Sequence, residues 1–230
     1  EFNTPADNNG IAQHLDGDRY QSLFGKLAYA GFTLTGGYSS RDKTVPTAAF
    51  ASAFNDPNFV VNDGTAFVDL GYYVEVSQRW EVSAHVFRGR YSYEGIYPYL
   101  GAPNYLNKDT ARGEWRGTEA KLVGRFATHK LGFGWEFQDN YRQDQSNFDI
   151  APYTLILDDK RSSNRTGVYV QDEITLGDGL LFNAGLRYDR YSTVGATFNP
   201  RLGLIWSPVD TTALKFLYGT AFRAPNAFEL

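Results

Sequence analysis

Cysteine is absent from the 230-residue sequence, and so is methionine. The first absence excludes a disulfide framework, a thiolate nucleophile and a cysteine-based zinc site. The second leaves position 1 without an initiator residue, so the sequence is expected to be a piece of a longer gene product or to have lost a leader. No signal peptide is visible. Lysine and arginine never run longer than two in a row, and the net charge is −4. Nothing here holds nucleic-acid phosphates. No apolar run approaches the ~18 residues of a membrane helix. That excludes helical spans only, because membrane strands alternate their faces and give a weak hydropathy signal. G-x-S-x-G, H-E-x-x-H, P-loop and G-x-G-x-x-G patterns are also missing.

What is present favours strands and turns: 16 Tyr, 17 Phe and 23 Gly. Period-two alternation predicts five hairpins. They are Tyr20–Tyr29 with Phe32–Arg41, Thr65–Glu75 with Trp80–Tyr93, Glu114–Phe126 with His129–Arg142, Ser163–Leu176 with Leu180–Tyr191, and Arg201–Trp206 with Ala213–Tyr218. Tight turns are expected at 30–31, 76–79, 127–128, 177–179 and 207–211, and long loops at 1–17, 42–64, 94–113 and 143–161. In most strands one face is apolar, as in Leu202, Leu204, Trp206 and Leu214, Phe216, Tyr218. In Ser163–Leu176 the faces stay open, because Asp172 shares a side with Val168, Val170 and Ile174.

A soluble β-sandwich also alternates. Three features favour a membrane wall instead. The predicted strands run about 10–14 residues against ~5–6 in soluble sheets, and a tilted bilayer crossing needs about 9–11. Connections are tight at one end and long at the other, as in outer-membrane barrels. Aromatic residues gather near both strand ends, where Tyr and Trp rings suit the headgroup level. The opposite face carries Lys26, Lys121, Arg125, Glu136, Arg187, Asp189, Arg201 and Lys215. Facing hydrocarbon, a mid-strand Lys or Arg costs about 2–4 kcal/mol, so these side chains are expected to line a wet lumen. The fold class is therefore all-β: an antiparallel transmembrane β-barrel segment of about ten strands, with short periplasmic turns and long extracellular loops. Such a segment leaves two open edges, which lipid does not tolerate, so further strands are expected to close it.

The stretch NPRLGLIWSPVDTTALKFLYGTAFRAPNAFEL resembles the late barrel strands of TonB-dependent outer-membrane receptors. The matching residues are Pro200, Arg201, Lys215, Tyr218, Gly219, Phe222, Arg223 and Pro225. VYVQDEITLGDGLLFNAGLRYDRYS resembles the family's YxQDE strand followed by GLRYD, and RDKTVPTAAFASAFNDP resembles one of its extracellular loops. The resemblance implies that residues 1–230 are part of a barrel of about 22 strands closed around a plug. It implies a location in the outer membrane of a Gram-negative bacterium, in contact with outer-membrane lipid. It also implies uptake of a scarce nutrient, such as a ferric siderophore, cobalamin or a similar ligand, driven by the inner-membrane TonB complex through an N-terminal box. Plug, box and closing strands are not in this sequence. No cofactor, metal or nucleic acid is implied. A passive porin-like channel and, behind it, a soluble all-β binding domain are the alternatives.

Candidate ligand contacts are aromatic: Tyr91, Tyr93, Tyr97, Tyr99 and Tyr105 in one cluster, and Phe50, Phe54 and Phe59 in another. Such rings stack on flat ligands, and equally pack on one another. Arg223 lies beside Pro225, where fixing a turn competes with lining the ligand's path. Lumen charges pair with each other or with a plug as readily as with substrate. An enzyme reading rests only on His85 with Ser83, neighbours two apart on a strand with no orienting acid, so no enzymatic activity is expected.

Overall fold

A computed structural model describes residues 2–226 and 229. Ten strands form one antiparallel meander in which each strand pairs with the next. They are β1 (Asp18–Tyr29), β2 (Phe32–Thr44), β3 (Val60–Ser77), β4 (Trp80–Tyr99), β5 (Tyr105–Phe126), β6 (His129–Asp149), β7 (Thr154–Gly177), β8 (Leu180–Tyr191), β9 (Gly195–Val209) and β10 (Thr212–Gly219). All five expected hairpins are present. At Ala30-Gly31 both residues are left-handed (φ 47° and 83°), the geometry that matches the twist of a two-residue hairpin. No described helix is long and apolar enough to cross a membrane, which says nothing about crossing by strands.

Strand limits differ from expectation at the long-loop end. Residues 94–113 and 143–161, expected as loops, are mostly strand, leaving only 100–104 and 150–153 as connections. β4 to β7 consequently reach 20–24 residues. Segments such as Lys108–Gly113 carry polar residues on both faces and so look like loop to a reading based on amphipathic alternation. Above a membrane both faces meet water, and cross-strand polar pairs hold the ladder: Asn107 donates to Asn147 (2.8 Å), Thr110 meets Ser146 (2.7 Å), and Lys108 meets Glu94 (2.8 Å). Between the described strands only 45–59 remains a long irregular excursion, with a tight turn at Ala49–Ala51 in which Phe50 and Ala51 are left-handed (φ 58° and 60°). Residues 5–10, within the expected loop, form tight turns in which Asn8 and Asn9 are left-handed (φ 51° and 53°).

Register sorts the faces strand by strand. Leu27, Leu34, Leu70, Val86, Thr118 and Phe137 lie opposite one another in turn across β1 to β6. Phe182, Leu204 and Phe216 do the same across β8 to β10. This apolar face is open: Leu27 is 69% exposed and Phe216 63%. On β3 it runs from Ala66 to Val76, about 11 residues, the length of a tilted bilayer crossing. The open question on β7 is settled as well. Val168, Val170, Asp172 and Ile174 pair with Trp135, Phe133, Leu131 and His129, so Asp172 does share the apolar face. It is accommodated by His129, whose Nδ1 lies 2.7 Å from Asp172 Oδ2.

Very little of the chain is internal. The buried apolar residues among those described include Leu15, Ala53, Phe59 and Tyr97, at the loop end, and Val123. β1 and β10 each pair on one side only, so the described sheet is an arc, not a closed ring.

Candidate ligand-facing surface

The charged positions singled out in the sequence share the face opposite the apolar band. Register places Glu119 opposite Glu136, Lys121 opposite Gly134, and Arg125 opposite Lys130. It places Arg187 opposite Tyr169, Asp189 opposite Gly167, Arg201 opposite Gly185, and Lys215 opposite Ile205. Arg187 holds the middle of this surface. Its guanidinium donates to both carboxylate oxygens of Glu136 (2.9 and 2.7 Å) and to Asp189 (2.7–3.0 Å), and it sits 5.8 Å from the Tyr169 ring centre. Asp189 is only 4% exposed, so this pairing neutralises a carboxylate that water barely reaches. Arg125 pairs with Glu81. His85 bridges Asp69 (2.6 Å) and Glu119 (3.0 Å), and both its ring nitrogens are thereby engaged by carboxylates.

Glycines leave room for rings on this face. A Cβ at Gly134 would collide with Tyr169, at Gly117 with Phe87, and at Gly89 with Trp115. Each ring lies flat across the neighbouring strand because its partner lacks a side chain. The sequence reading assigned this face to charges and missed the aromatic layer. Its signal was a glycine directly opposite an aromatic residue, which becomes visible only once register is known.

Above the charged belt two features face the same way. The first is a cap. Segment 45–59 folds back over β4, tied by Val45 N–H to Phe59 O (2.9 Å) and Ala53 N–H to Pro98 O (2.7 Å). Phe59, 2% exposed, packs 5.0 Å from Tyr97, and Phe50 approaches Tyr97 edge-on at 5.9 Å. Tyr99 stacks on Tyr105 (5.4 Å), Phe54 stacks on Phe2 (4.7 Å), and Tyr93 shares a hydrogen bond with Tyr97. Tyr91 donates to Asp63 (3.1 Å), and burial together with that contact pushes its phenol up to about 12. Burial, then the Tyr97 hydroxyl, also raises Tyr93. The two aromatic groups predicted from sequence are therefore brought together, chiefly onto one another. Phe50 presents most of its ring outward (77% exposed).

The second feature is a hollow of about 480 Å³ beside the upper parts of β6, β7 and β8, lined by Gln138, Asn140, Arg161, Arg165, Tyr191 and Arg223 among others. After β10 the chain turns back over it, with Thr220 N–H donating to Pro200 O (3.1 Å) and Phe222 5.6 Å from Tyr191. Arg223, apart in sequence from the aromatic clusters, thus reaches this hollow, where it pairs with Glu229 (2.8 Å). Ala227, Phe228 and Leu230, the end of the motif-bearing stretch, lie outside the described residues. Arg165 shares the wall with an adjoining hollow over Glu136, Arg187 and Arg201, and its Nε is buried without a hydrogen-bond partner among the described residues. Neither Arg161 nor Arg165 was singled out from sequence: Arg161 fell in the expected loop 143–161, and the faces of Ser163–Leu176, which holds Arg165, were open.

An open arc of long antiparallel strands, with an apolar band on one face and ion pairs on the other, is the wall of a membrane β-barrel. A family model described as TonB dependent receptor-like, beta-barrel, matches residues 4–230, and the chain belongs to that family. It is accordingly a protein of the Gram-negative outer membrane, in a family of transporters and not enzymes. The ferric enterobactin receptor of Pseudomonas aeruginosa is 28% identical over 148 residues, which cover 60% of this chain and 19% of that protein. Among solved structures, the unliganded ferric citrate transporter FecA superposes with a TM-score of 0.70 at 15% identity, covering 86% of this chain and 35% of the other. A mutant of the ferric enterobactin receptor PfeA of Pseudomonas aeruginosa gives 0.68 at 15% identity, covering 92% and 34%. The FpvAI–pyocin S2 complex gives 0.67 at 14%, covering 88% and 34%. These solved structures establish the fold alone. The chain spans about a fifth of the curated relative and about a third of these solved chains.

Proposed function

We propose that residues 1–230 are a stretch of barrel wall in an outer-membrane receptor that takes up an iron–siderophore complex, with uptake energised by the inner-membrane TonB complex. On this reading the plug, the coupling box and the closing strands belong to other parts of the same protein. The observation that carries it is the hollow beneath the returning 220–226 segment, where Arg161, Arg165 and Arg223 converge beside Tyr191 and Phe222 on the lumen face. Anionic ferric chelates with aromatic or carboxylate donors suit guanidinium groups flanked by rings. The relatives' names, ferric enterobactin receptor and ferric citrate transporter, point to the same chemistry. Within this reading the cap acts as a lip, with Phe50, Tyr99 and Tyr105 available at its edge and Phe59 and Tyr97 holding it together. The belt of Lys121, Arg125, Glu136, Arg187, Asp189, Arg201 and Lys215 lies deeper, where a plug would seat.

The test is binding by the full-length receptor to a panel of ferric catecholates, ferric citrate and cobalamin. We expect one ferric chelate to bind and Arg161→Gln/Arg165→Gln to weaken it at least about tenfold. Preference for cobalamin, or wild-type affinity in the double variant, overturns the proposal.

A further inference from the structure

The outward face of β4 and β5 changes character abruptly at one level. Up to Val86, opposite Thr118, it belongs to the apolar band. One step higher Arg88 lies directly opposite Arg116, then Arg90 opposite Glu114, then Arg112 opposite Ser92. Like charges directly opposed across a sheet repel. Here the two guanidinium groups are held apart on one ring, Arg88 at 5.8 Å and Arg116 at 5.6 Å from the centre of Tyr141. Neighbouring carboxylates neutralise part of the cluster. Arg116 meets Asp139 (3.0 Å), while Arg88 (3.4 Å) and Arg142 (3.3 Å) share Glu114. Arg142 also meets Asp144 (2.6 Å). Arg90 and Arg112 make no ion pair among the described residues, and with Arg142, Tyr38 and Ser40 they help line a shallow hollow of about 450 Å³. Arg88, Arg90, Arg112 and Arg116 are all exposed.

This cluster faces away from the lumen, so neither the transported ligand nor a plug reaches it. It lies at the upper edge of the apolar band on the long-connection side, with Arg88 and Arg90 opposite Val68 and Ala66, the band's last residues on β3, at the level of the outer-leaflet headgroups. A guanidinium there meets lipid phosphate, which it binds as a planar two-pronged donor. We propose that Arg88, Arg90, Arg112 and Arg116 form a docking patch for phosphate groups of outer-leaflet lipid. The patch turns a residual positive charge, otherwise self-repelling, into a fixed boundary contact. The proposal uses the membrane setting of the wall and is independent of which chelate the lumen binds.

Native mass spectrometry of the full-length receptor, extracted from its own outer membrane in mild detergent, reads the patch directly. We expect wild type to retain phosphate-bearing lipid, and Arg90→Gln/Arg112→Gln to retain about tenfold less. These two arginines are in no ion pair among the described residues, so their loss strands no carboxylate there. Arg90→Lys/Arg112→Lys is expected to keep most of the lipid. Lys26→Gln, which removes one positive charge from the lumen face, is expected to keep all of it. Heat-modifiable gel mobility verifies that each barrel has folded. Wild-type retention by the Arg90/Arg112 glutamine variant, or an equal loss in Lys26→Gln, overturns the proposal.

Discussion

The lower and upper halves of β4 to β7 are continuous strands with opposite ways of being stable. Below Val86 the outward face is apolar and exposed, and the inward face is held by ion pairs centred on Arg187 and His85. Nothing covers Leu70, Val86 or Phe133 within the described residues, so their burial is left to lipid. Above that level β5 and β6 carry polar residues on both faces, and the chain builds a small core of its own from Phe59, Tyr97 and Ala53. The lower half borrows its hydrophobic stabilisation from the bilayer. The upper half supplies it locally, through one loop folded onto the strand extensions.

The difference predicts where damage will be global and where it will be local. Arginine at both Leu204 and Phe216, cross-strand partners on the apolar face, should all but abolish membrane assembly, at about 2–4 kcal/mol for each charge near the midplane. Charge introduced at Thr33 or retained at Lys215 should be tolerated. Equal assembly yields for the two sets would show that the faces are wrongly assigned. Phe59→Ala should cost the cap about 3–5 kcal/mol. Hydrogen exchange should then rise in 45–59 and in Tyr93–Tyr99 while the lower strands stay protected. Protection lost throughout would mean that the two halves fold as one.

Arg187→Gln should destabilise the lumen belt by about 1–3 kcal/mol, since Glu136 and the buried Asp189 lose their partner. Adding Asp189→Asn should recover part of that loss in a urea titration of the refolded full-length receptor. No recovery would place the cost in lost packing on Tyr169 instead. The smallest effect concerns Asp109, on the upper β5. Burial raises its pKa against the opposing contacts from Asn147 and Thr110. A raised carboxyl pKa means that the folded state favours the proton, so local stability falls as pH rises through the folded value. Asp109→Asn should remove that dependence and leave the protection of β5 and β6, relative to intrinsic exchange rates, flat between acidic and neutral pH. A persistent slope would assign it to another group.

Much of the wall was legible because its physics is local. A period of two, tight turns such as Ala30-Gly31, and charges confined to one side are properties of neighbouring residues, and they sufficed for all five hairpins. The extent of β4 to β7 was not legible. Asn107, Thr110 and Lys108 read as loop until Asn147, Ser146 and Glu94 are brought within reach on the neighbouring strands. Similarly, Asp172 blurred the faces of β7 until register set it beside His129.

For the candidate site the sequence supplied the residue types, namely rings in two clusters and an arginine near a proline, together with a family resemblance strong enough to anticipate membership. It could not show that Phe59 would be spent on holding Tyr97, or that Arg161, Arg165 and Arg223 would meet over Tyr191. Nor could it show that Arg88 would stand opposite Arg116. The reason is that alternation along a strand is fixed by the backbone's own geometry, whereas cross-strand neighbours depend on register. Register is set jointly by turns, bulges and the whole run of partners, and only the folded sheet decides it.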